Sequence, residues 1–326
     1  MKKWRILRIC AVLLLAGLLA GCGAPNVLGD ERIKIGLSMA TRDEFLTSME
    51  EAAVKAAGDE NVNLQVANAN NDQKAQLSQI GEWAKEDYAA VIVVLCEDTA
   101  AQKVLEKAGT MPVVFLNRQP VDSALEGRSN VVYIGQKESD AGRMQGEYLA
   151  AYFLAQDNRT PRLAIIAGSA ETHASAERVQ AAKDALTAAG LRPRYIFETN
   201  AGWDRATAQK EFLAFLRDKP QVDGVLAAND EMAIGAADAL AQAGYAVADI
   251  PIAGVDATVK GRAALRDGRI DFTAYQDPVA QGAGAIDAAV TLLGGGKPEN
   301  MVDGVLWLDY TPITAANVDK FFPNDN

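Results

Sequence analysis

The sequence predicts an α/β protein made of two doubly wound parallel sheets, and three observations lead there. From residue 32 onward, apolar runs of five to seven residues alternate with amphipathic stretches of ten to twenty. Strand and helix in strict alternation argue a parallel sheet with helices on both faces. About 300 residues follow position 21, more than one such sheet usually needs, so two domains are expected. No Pro/Gly/Ser-rich linker separates them, which suggests that the chain crosses between the domains at strand ends.

In order, the apolar run Ile33–Met39 is expected as a strand and Leu46–Ala57 as the amphipathic helix after it. Val62–Ala67 and Lys74–Glu86 repeat the pair, and the runs Ala90–Leu95 and Pro112–Leu116 give two more strands. Val131–Ile134 precedes helix Ser139–Leu154, Arg162–Ala167 precedes Ala176–Ala189, and Arg194–Glu198 precedes Arg205–Arg217. Gly224–Ala227 is followed by Glu231–Ala243, and Ile250–Gly254 and Phe272–Tyr275 by Val279–Leu293. Val305–Leu308 is the last strand expected.

The first residues are built unlike this body. Lys2, Lys3, Arg5 and Arg8 form a basic start and Ile9 through Ala20 an apolar core, which is shorter than the roughly 20 apolar residues that span a bilayer. Residues 1–21 are therefore expected to be a signal peptide that is cut away. Leu19-Ala20-Gly21-Cys22 resembles a lipobox, with Cys22 as the residue that receives a lipid; an ordinary cleavage site that happens to carry a cysteine is the alternative. Residues 22–31 then form a short lipidated tether.

Loss of residues 1–21 removes four basic and no acidic residues and takes the formal charge from −11 to −15. An acidic body without a basic cluster argues against nucleic acid and anionic lipid surfaces as partners. Cys10 falls in the signal and Cys22 at the lipid site, so Cys96 is left alone and no disulfide framework exists. It reads as a small buried apolar residue.

Open parallel sheets bind ligands beyond the carboxyl ends of their strands. The polar and aromatic residues there are Asp43 and Phe45, Asn117 and Arg118, His173 and Arg178, Trp203 and Asp204, Asn229 and Asp230, Asp256, and Gln276. Singly, each has a plain structural explanation: Asp43, Asn229, Asp230 and Asp256 stand where helix N-caps are wanted. Phe45 and Trp203 could be core, and the arginines, Asp204 and the lone His173 surface groups. As a set they fit a sugar. Vicinal hydroxyls are matched by planar groups that take two hydrogen bonds at once, and ring C–H faces by Phe and Trp. An anionic ligand would call for several cations, and only Arg118 and Arg178 qualify.

These stretches resemble periplasmic sugar-binding proteins of the ribose and galactose/glucose type over residues 31–318. The resemblance is carried by Ile33-Lys34-Ile35-Gly36-Leu37 with Asp43-Glu44-Phe45, Asn70-Asn71-Asp72, Pro112-Val113-Val114-Phe115 and Gly202-Trp203-Asp204. Ala228-Asn229-Asp230-Glu231-Met232-Ala233-Ile234-Gly235 and Gly254-Val255-Asp256 are its most specific parts. It implies two lobes joined by a three-crossing hinge that closes on the ligand. The first lobe would be 32–135 plus 277–306 and the second 136–276 plus 307–326, with crossings near Gly135-Gln136, Gln276-Asp277 and Gly304–Leu308.

Carried over by position, Asp43, Asn229 and Asp256 would bond hydroxyls, Phe45 and Trp203 would sandwich the ring, and Arg178 would donate from the second lobe. Gln276 and Arg118 match the ribose type. Leu95 and Cys96 stand where both types carry an asparagine, and the turn around His173 departs from the galactose type. Gln156-Asp157-Asn158-Arg159-Thr160 is too short and too weakly acidic for the calcium loop of that type, so no metal is expected. No cofactor is expected either.

The implied function is capture of a neutral hexose, pentose or inositol by a monomeric, membrane-anchored lipoprotein that delivers it to an ABC permease. Presentation of the closed form to a chemoreceptor or sensor kinase is the alternative. A sugar-active enzyme has little support: His173 is the only histidine, and no nucleophile elbow, metal-ligand cluster or complete dinucleotide loop occurs.

Overall fold

The computed structural model describes residues 32–170 and 172–325. The expected signal peptide, the tether and Cys22 lie outside the described residues.

The chain starts with β1 (Ile33–Met39), α1 (Glu44–Asp59), β2 (Val62–Asn68), α2 (Gln73–Lys85), β3 (Ala90–Val93), α3 (Ala101–Ala108), β4 (Val113–Leu116) and β5 (Val131–Gln136). Strands β3, β4 and β5, and β1 from Ile35 on, are buried on both faces, as parallel strands between helices must be, while the edge strand β2 is only partly covered. Ile35, Leu37 and Met39 pack under α1 against Met49 and Ala53. On the opposite face of β1, a Cβ on Gly36 would come 2.3 Å from the Trp83 ring of α2, so only glycine lets that helix approach.

Next come α4 (Glu138–Ala155), β6 (Arg162–Ala167), α5 (His173–Ala188), β7 (Arg194–Asn200), α6 (Arg205–Phe215), β8 (Gly224–Ala227), α7 (Asp230–Gln242), β9 (Ile252–Asp256), α8 (Val259–Arg266) and β10 (Phe272–Tyr275). One face of this second sheet holds Ile166, Val225 and Ala227 against Phe212 and Met232. The other holds Leu163, Ile165 and Val255 against Phe153 and Ala182 of α4 and α5. The chain then returns through α9 (Pro278–Leu293), which packs with α1 on the first sheet, and β11 (Val305–Leu308), and passes to the second sheet with β12 (Thr311–Ile313) and the short α10 (Val318–Phe321).

The two sheets have matching strand orders, β2-β1-β3-β4-β5-β11 and β7-β6-β8-β9-β10-β12. Each reverses direction of growth beside its first strand, at β1/β3 and β6/β8, and such a switch point leaves a crevice at the carboxyl end. Three passages join the sheets: Gln136–Glu138, Gln276–Pro278 and Asp309–Tyr310. The third corrects the expectation of Gly304–Leu308 and the lobe boundary at 306. Val305–Leu308 pairs in parallel with Tyr133–Gln136, so residues 307 and 308 belong to the first sheet.

Strand β12 was not expected. It pairs antiparallel with β10, and Pro312, which argues against a strand, is tolerated because β12 is an edge. The ninth strand runs Ile252–Asp256 rather than Ile250–Gly254, its end fixed by pairing of Asp256 with Tyr275. Helix α6 stops at Phe215 and tightens into a 3₁₀ turn over Leu216–Asp218. Among the described residues no helix is long and apolar enough to cross a membrane.

A candidate ligand-binding cleft between the lobes

The strand ends of both sheets face one cavity of about 50 Å³, several times the roughly 10–15 Å³ that one water needs. Nine of the ten expected ligand-binding residues line it: Asp43, Phe45, Asn117 and Arg118 from the first lobe, and Arg178, Trp203, Asn229, Asp256 and Gln276 beyond it.

Several of them are placed by doing a structural task with part of the side chain. Asp43 caps α1, Oδ1 accepting the Leu46 N–H at 2.7 Å, and Asn229 caps α7, Oδ1 accepting the Met232 N–H at 2.9 Å. Each keeps another polar atom for the cavity. Asp204 is only a cap, accepting the Thr207 N–H at 2.7 Å. Asn117, Trp203 and Asp256 have φ of 64°, 69° and 113°, a left-handed region that costs energy for residues with a side chain and clusters at functional sites. The Trp203 indole lies against Gly168, where a Cβ would come within 2.3 Å of it.

The two arginines are held by backbone and acids. Arg118 Nη1 donates to the carbonyls of Leu95 (2.7 Å) and Cys96 (3.3 Å), while the Leu95 and Cys96 side chains pack in the core. Where the resemblance leads one to expect an asparagine, the chain offers carbonyls to an arginine instead. Burial pushes the Cys96 thiol up to about 11, so it stays protonated. Arg178 Nε donates to Glu138 Oε2 at 2.5 Å and Nη1 to the Ala228 carbonyl at 2.6 Å. Nη1 also stands 3.9 Å from Asp256 Oδ1, and the guanidinium lies 5.5 Å over the Trp203 ring.

Three acids, Asp43, Glu138 and Asp256, and two arginines line the cavity. Burial raises the pKa of Asp43 against the pull of the Leu46 N–H and Arg118. Burial likewise raises Asp256 well above the ordinary carboxylate range, with Arg178 opposing. Burial works against the charge of Arg178, but Glu138, Tyr310 and Asp256 outweigh it and raise its pKa.

The tenth residue, His173, is corrected. It opens α5 with its ring directed along the helix, Nε2 3.0 Å from Glu177 and 59% exposed, while its neighbours Thr172 and Ala174 line the cavity. Its backbone N–H has a different role, donating across the cleft to Asp98 Oδ2 at 2.6 Å. At the other rim the Lys260 N–H donates to Glu44 Oε1 at 3.1 Å and Nζ stands 2.8 Å from Glu44 Oε2. Two first-lobe carboxylates thus meet two second-lobe helix N-termini, which describes a closed cleft.

Glu138 and Tyr310 escaped sequence reasoning. Glu138 follows β5 and falls under the same strand-end rule, which finds it if applied to the crossing; Tyr310 lies between two short strands where no periodicity marks it. Among the described residues no group of three or more His, Cys, Asp or Glu is placed to hold a metal ion. Asp157 and Asn158, at the weak calcium-loop match, close the C-terminal turn of α4 with their N–H groups.

Residues 35–297 match the profile of the periplasmic binding protein domain. A candidate rhizopine-binding protein of Rhizobium meliloti is 31% identical over 298 residues, covering 88% of this chain and 92% of its own. The D-ribose/D-allose-binding protein of Pseudomonas aeruginosa is 29% identical over 294 residues, 87% of this chain and 90% of its own. An ABC transporter solute-binding protein of Bacillus halodurans, solved with bound myo-inositol, superposes with a TM-score of 0.79 at 27% identity, covering 90% of this chain and 98% of that one. These relatives are named for what they bind and not for a reaction. With its two switch-point sheets, its three passages and a profile match over most of its length, the chain belongs to the periplasmic binding protein family.

Proposed function

We propose that the chain captures a neutral monosaccharide or sugar-like polyol, a hexose, pentose or inositol, between its lobes and delivers it to an ABC permease. The observation that carries this reading is the convergence of planar polar side chains from both lobes, Asp43, Asn117, Arg118, Asn229, Asp256 and Gln276, with Phe45 and the Trp203 indole on one cavity. Planar groups match vicinal hydroxyls, and flat apolar faces match ring C–H. The ribose/allose relative and the inositol-bound neighbour are named for ligands of this chemistry. In this reading Cys22 carries the lipid that holds the protein at the cell envelope.

A melting screen of the protein against D-ribose, D-allose, D-galactose and myo-inositol tests it. A ligand at 100 times its dissociation constant stabilises the fold by about 2.7 kcal/mol, which at this size moves the melt by at least several degrees. Asp256→Ala and Trp203→Ala should each weaken binding by about 1–3 kcal/mol, through an unpaired buried polar partner and a lost stacking face. If no sugar or polyol shifts the melt while an amino acid or a phosphorylated compound does, the reading fails.

A further inference from the structure

Two hydrogen-bond chains run from the hinge to the cavity, and each begins at a group that can only accept. Glu138 lies at the first passage as the ion-pair partner of Arg178, and Tyr310 lies at the third with its hydroxyl 2.9 Å from Glu138 Oε2. A carboxylate so paired has no proton to give, so the single Tyr310 O–H must point at it. The phenol oxygen is left to accept, from Arg178 Nη2 at 3.3 Å and from Gln276 at 3.1 Å. Gln276 therefore has to meet Tyr310 with Nε2. Its Oε1, without a hydrogen-bond partner among the described residues, is the atom left for the cavity.

The second chain begins at the backbone carbonyl of Asp309, which accepts from Gln136 Nε2 at 2.9 Å. That choice turns Gln136 Oε1 toward Gln281, whose Nε2 donates to it at 2.8 Å. Gln281 Oε1 in turn accepts from Asn117 Nδ2 at 3.1 Å, and Asn117 Oδ1 is left for the cavity. Gln136, Gln281, Gln276 and Tyr310 are all at least nine-tenths buried. An amide turned the wrong way would set two donors or two acceptors face to face with no water to relieve them.

We propose that the hinge sets the polarity of the site: Tyr310 with Glu138, and Gln136 with Gln281, are positioning residues that hold Gln276 and Asn117 with their carbonyl oxygens toward the ligand. This deepens the sugar-binding reading and rests on it. The cleft then selects a polyol with free hydroxyl donors at two defined positions, and rejects one that is deoxygenated or O-methylated there, since neither can donate.

Calorimetry on the full-length protein tests this, first with myo-inositol, D-ribose, D-allose and D-galactose, then with the mono-deoxy and mono-O-methyl derivatives of the tightest of them. Two derivative positions should each cost the parent protein tenfold or more. Tyr310→Phe should weaken the unmodified ligand about tenfold and change the derivative lacking the hydroxyl read by Gln276 less than threefold. Gln281→Met should do the same at the other position alone. A uniform loss across all derivatives in both variants would mean that the network is merely structural, and overturns the proposal. A ligand-free measurement covers a variant that does not fold and a ligand panel that does not bind. In the parent protein, the Gln276 amide protons should show nuclear Overhauser contacts to the Tyr310 ring, and the Asn117 amide protons to the Gln281 side chain. Their absence sinks the hinge polarity whatever the ligand, whereas their presence without any polyol binding sinks only the sugar reading.

Discussion

Replacement of Asp230 by asparagine should remove the pH dependence of stability that one wholly buried carboxyl contributes. Asp230 is the first residue of α7, behind the cleft, with Oδ2 accepting the Thr258 N–H at 3.0 Å and Oδ1 making no hydrogen bond. Burial raises its pKa to about 7 although Thr273 and Thr258 pull it down. The folded value thus lies above the unfolded one, so the folded state holds the proton to higher pH. Stability is unaffected below about pH 4 and falls as pH rises from there to 7. From about 3.9 to about 7 the gap is worth at most about 4 kcal/mol at about 1.4 kcal/mol per tenfold. Asparagine stays neutral, keeps an acceptor for Thr258 and puts an unpaired Nδ2 in place of the unpaired oxygen. Asp230→Asn should therefore be less stable than the parent by about 1 kcal/mol at pH 5, and more stable by about 2 kcal/mol at pH 8. Urea unfolding at half-unit steps from pH 5 to 8.5 measures the difference directly. A difference that does not change with pH would refute the assignment of a neutral carboxyl at this position.

Two further expectations follow from contacts and motif. Asp98→Ala and Glu44→Ala remove the first-lobe acceptors of the His173 and Lys260 N–H groups, so each should reduce the ligand-induced compaction seen by solution scattering. Each should also lower affinity about three- to tenfold by the same factor for every ligand, because all ligands meet the same closing cost; a factor that differs between ligands would count against a closing role. Cys22→Ser should release the protein from the detergent phase, and normal cleavage with continued membrane fractionation would rule out the lipid anchor.

Most of the sheet framework was legible because parallel strands buried on both faces read as unbroken apolar runs, such as Ala-Val-Ile-Val at β3 and Val-Val-Phe-Leu at β4. What escaped has physical causes. Thr311–Ile313 is short, contains Pro312 and gains its identity only from β10 beside it. The third passage was misplaced because Trp307 and Leu308 look alike in sequence whichever sheet they join, and only their register with Gly135 and Gln136 decides. The strand-end rule gathered most of the cavity, yet it counted His173, whose first-turn position aims the ring at Glu177, and overlooked Glu138. Direction within a helical turn is not written in residue type.

The caps explain how a cleft made of helix starts acquires a defined pattern of donors and acceptors. Asn229 Oδ1 is taken by the Met232 N–H, so its Nδ2, which meets the Trp203 carbonyl only at 3.5 Å, is the atom it can offer a ligand. Asn229 is thereby a donor for the same kind of reason that makes Gln276 and Asn117 acceptors: the other end of the amide is committed to an obligate partner. Asp43 gives Oδ1 to the Leu46 N–H and keeps a second oxygen. A hydroxyl both donates and accepts, and a ring carrying several of them can meet Asp43 and Gln276 as donor and Asn229 and Arg178 as acceptor. A ligand able only to accept leaves the buried carbonyl and carboxylate oxygens unpaired. One able only to donate leaves the Asn229 amide without an acceptor. A chain that had to cap its helices and tie its hinge has in this way fixed the polarity of its pocket before any ligand arrives, the preorganisation that keeps the cost of binding low.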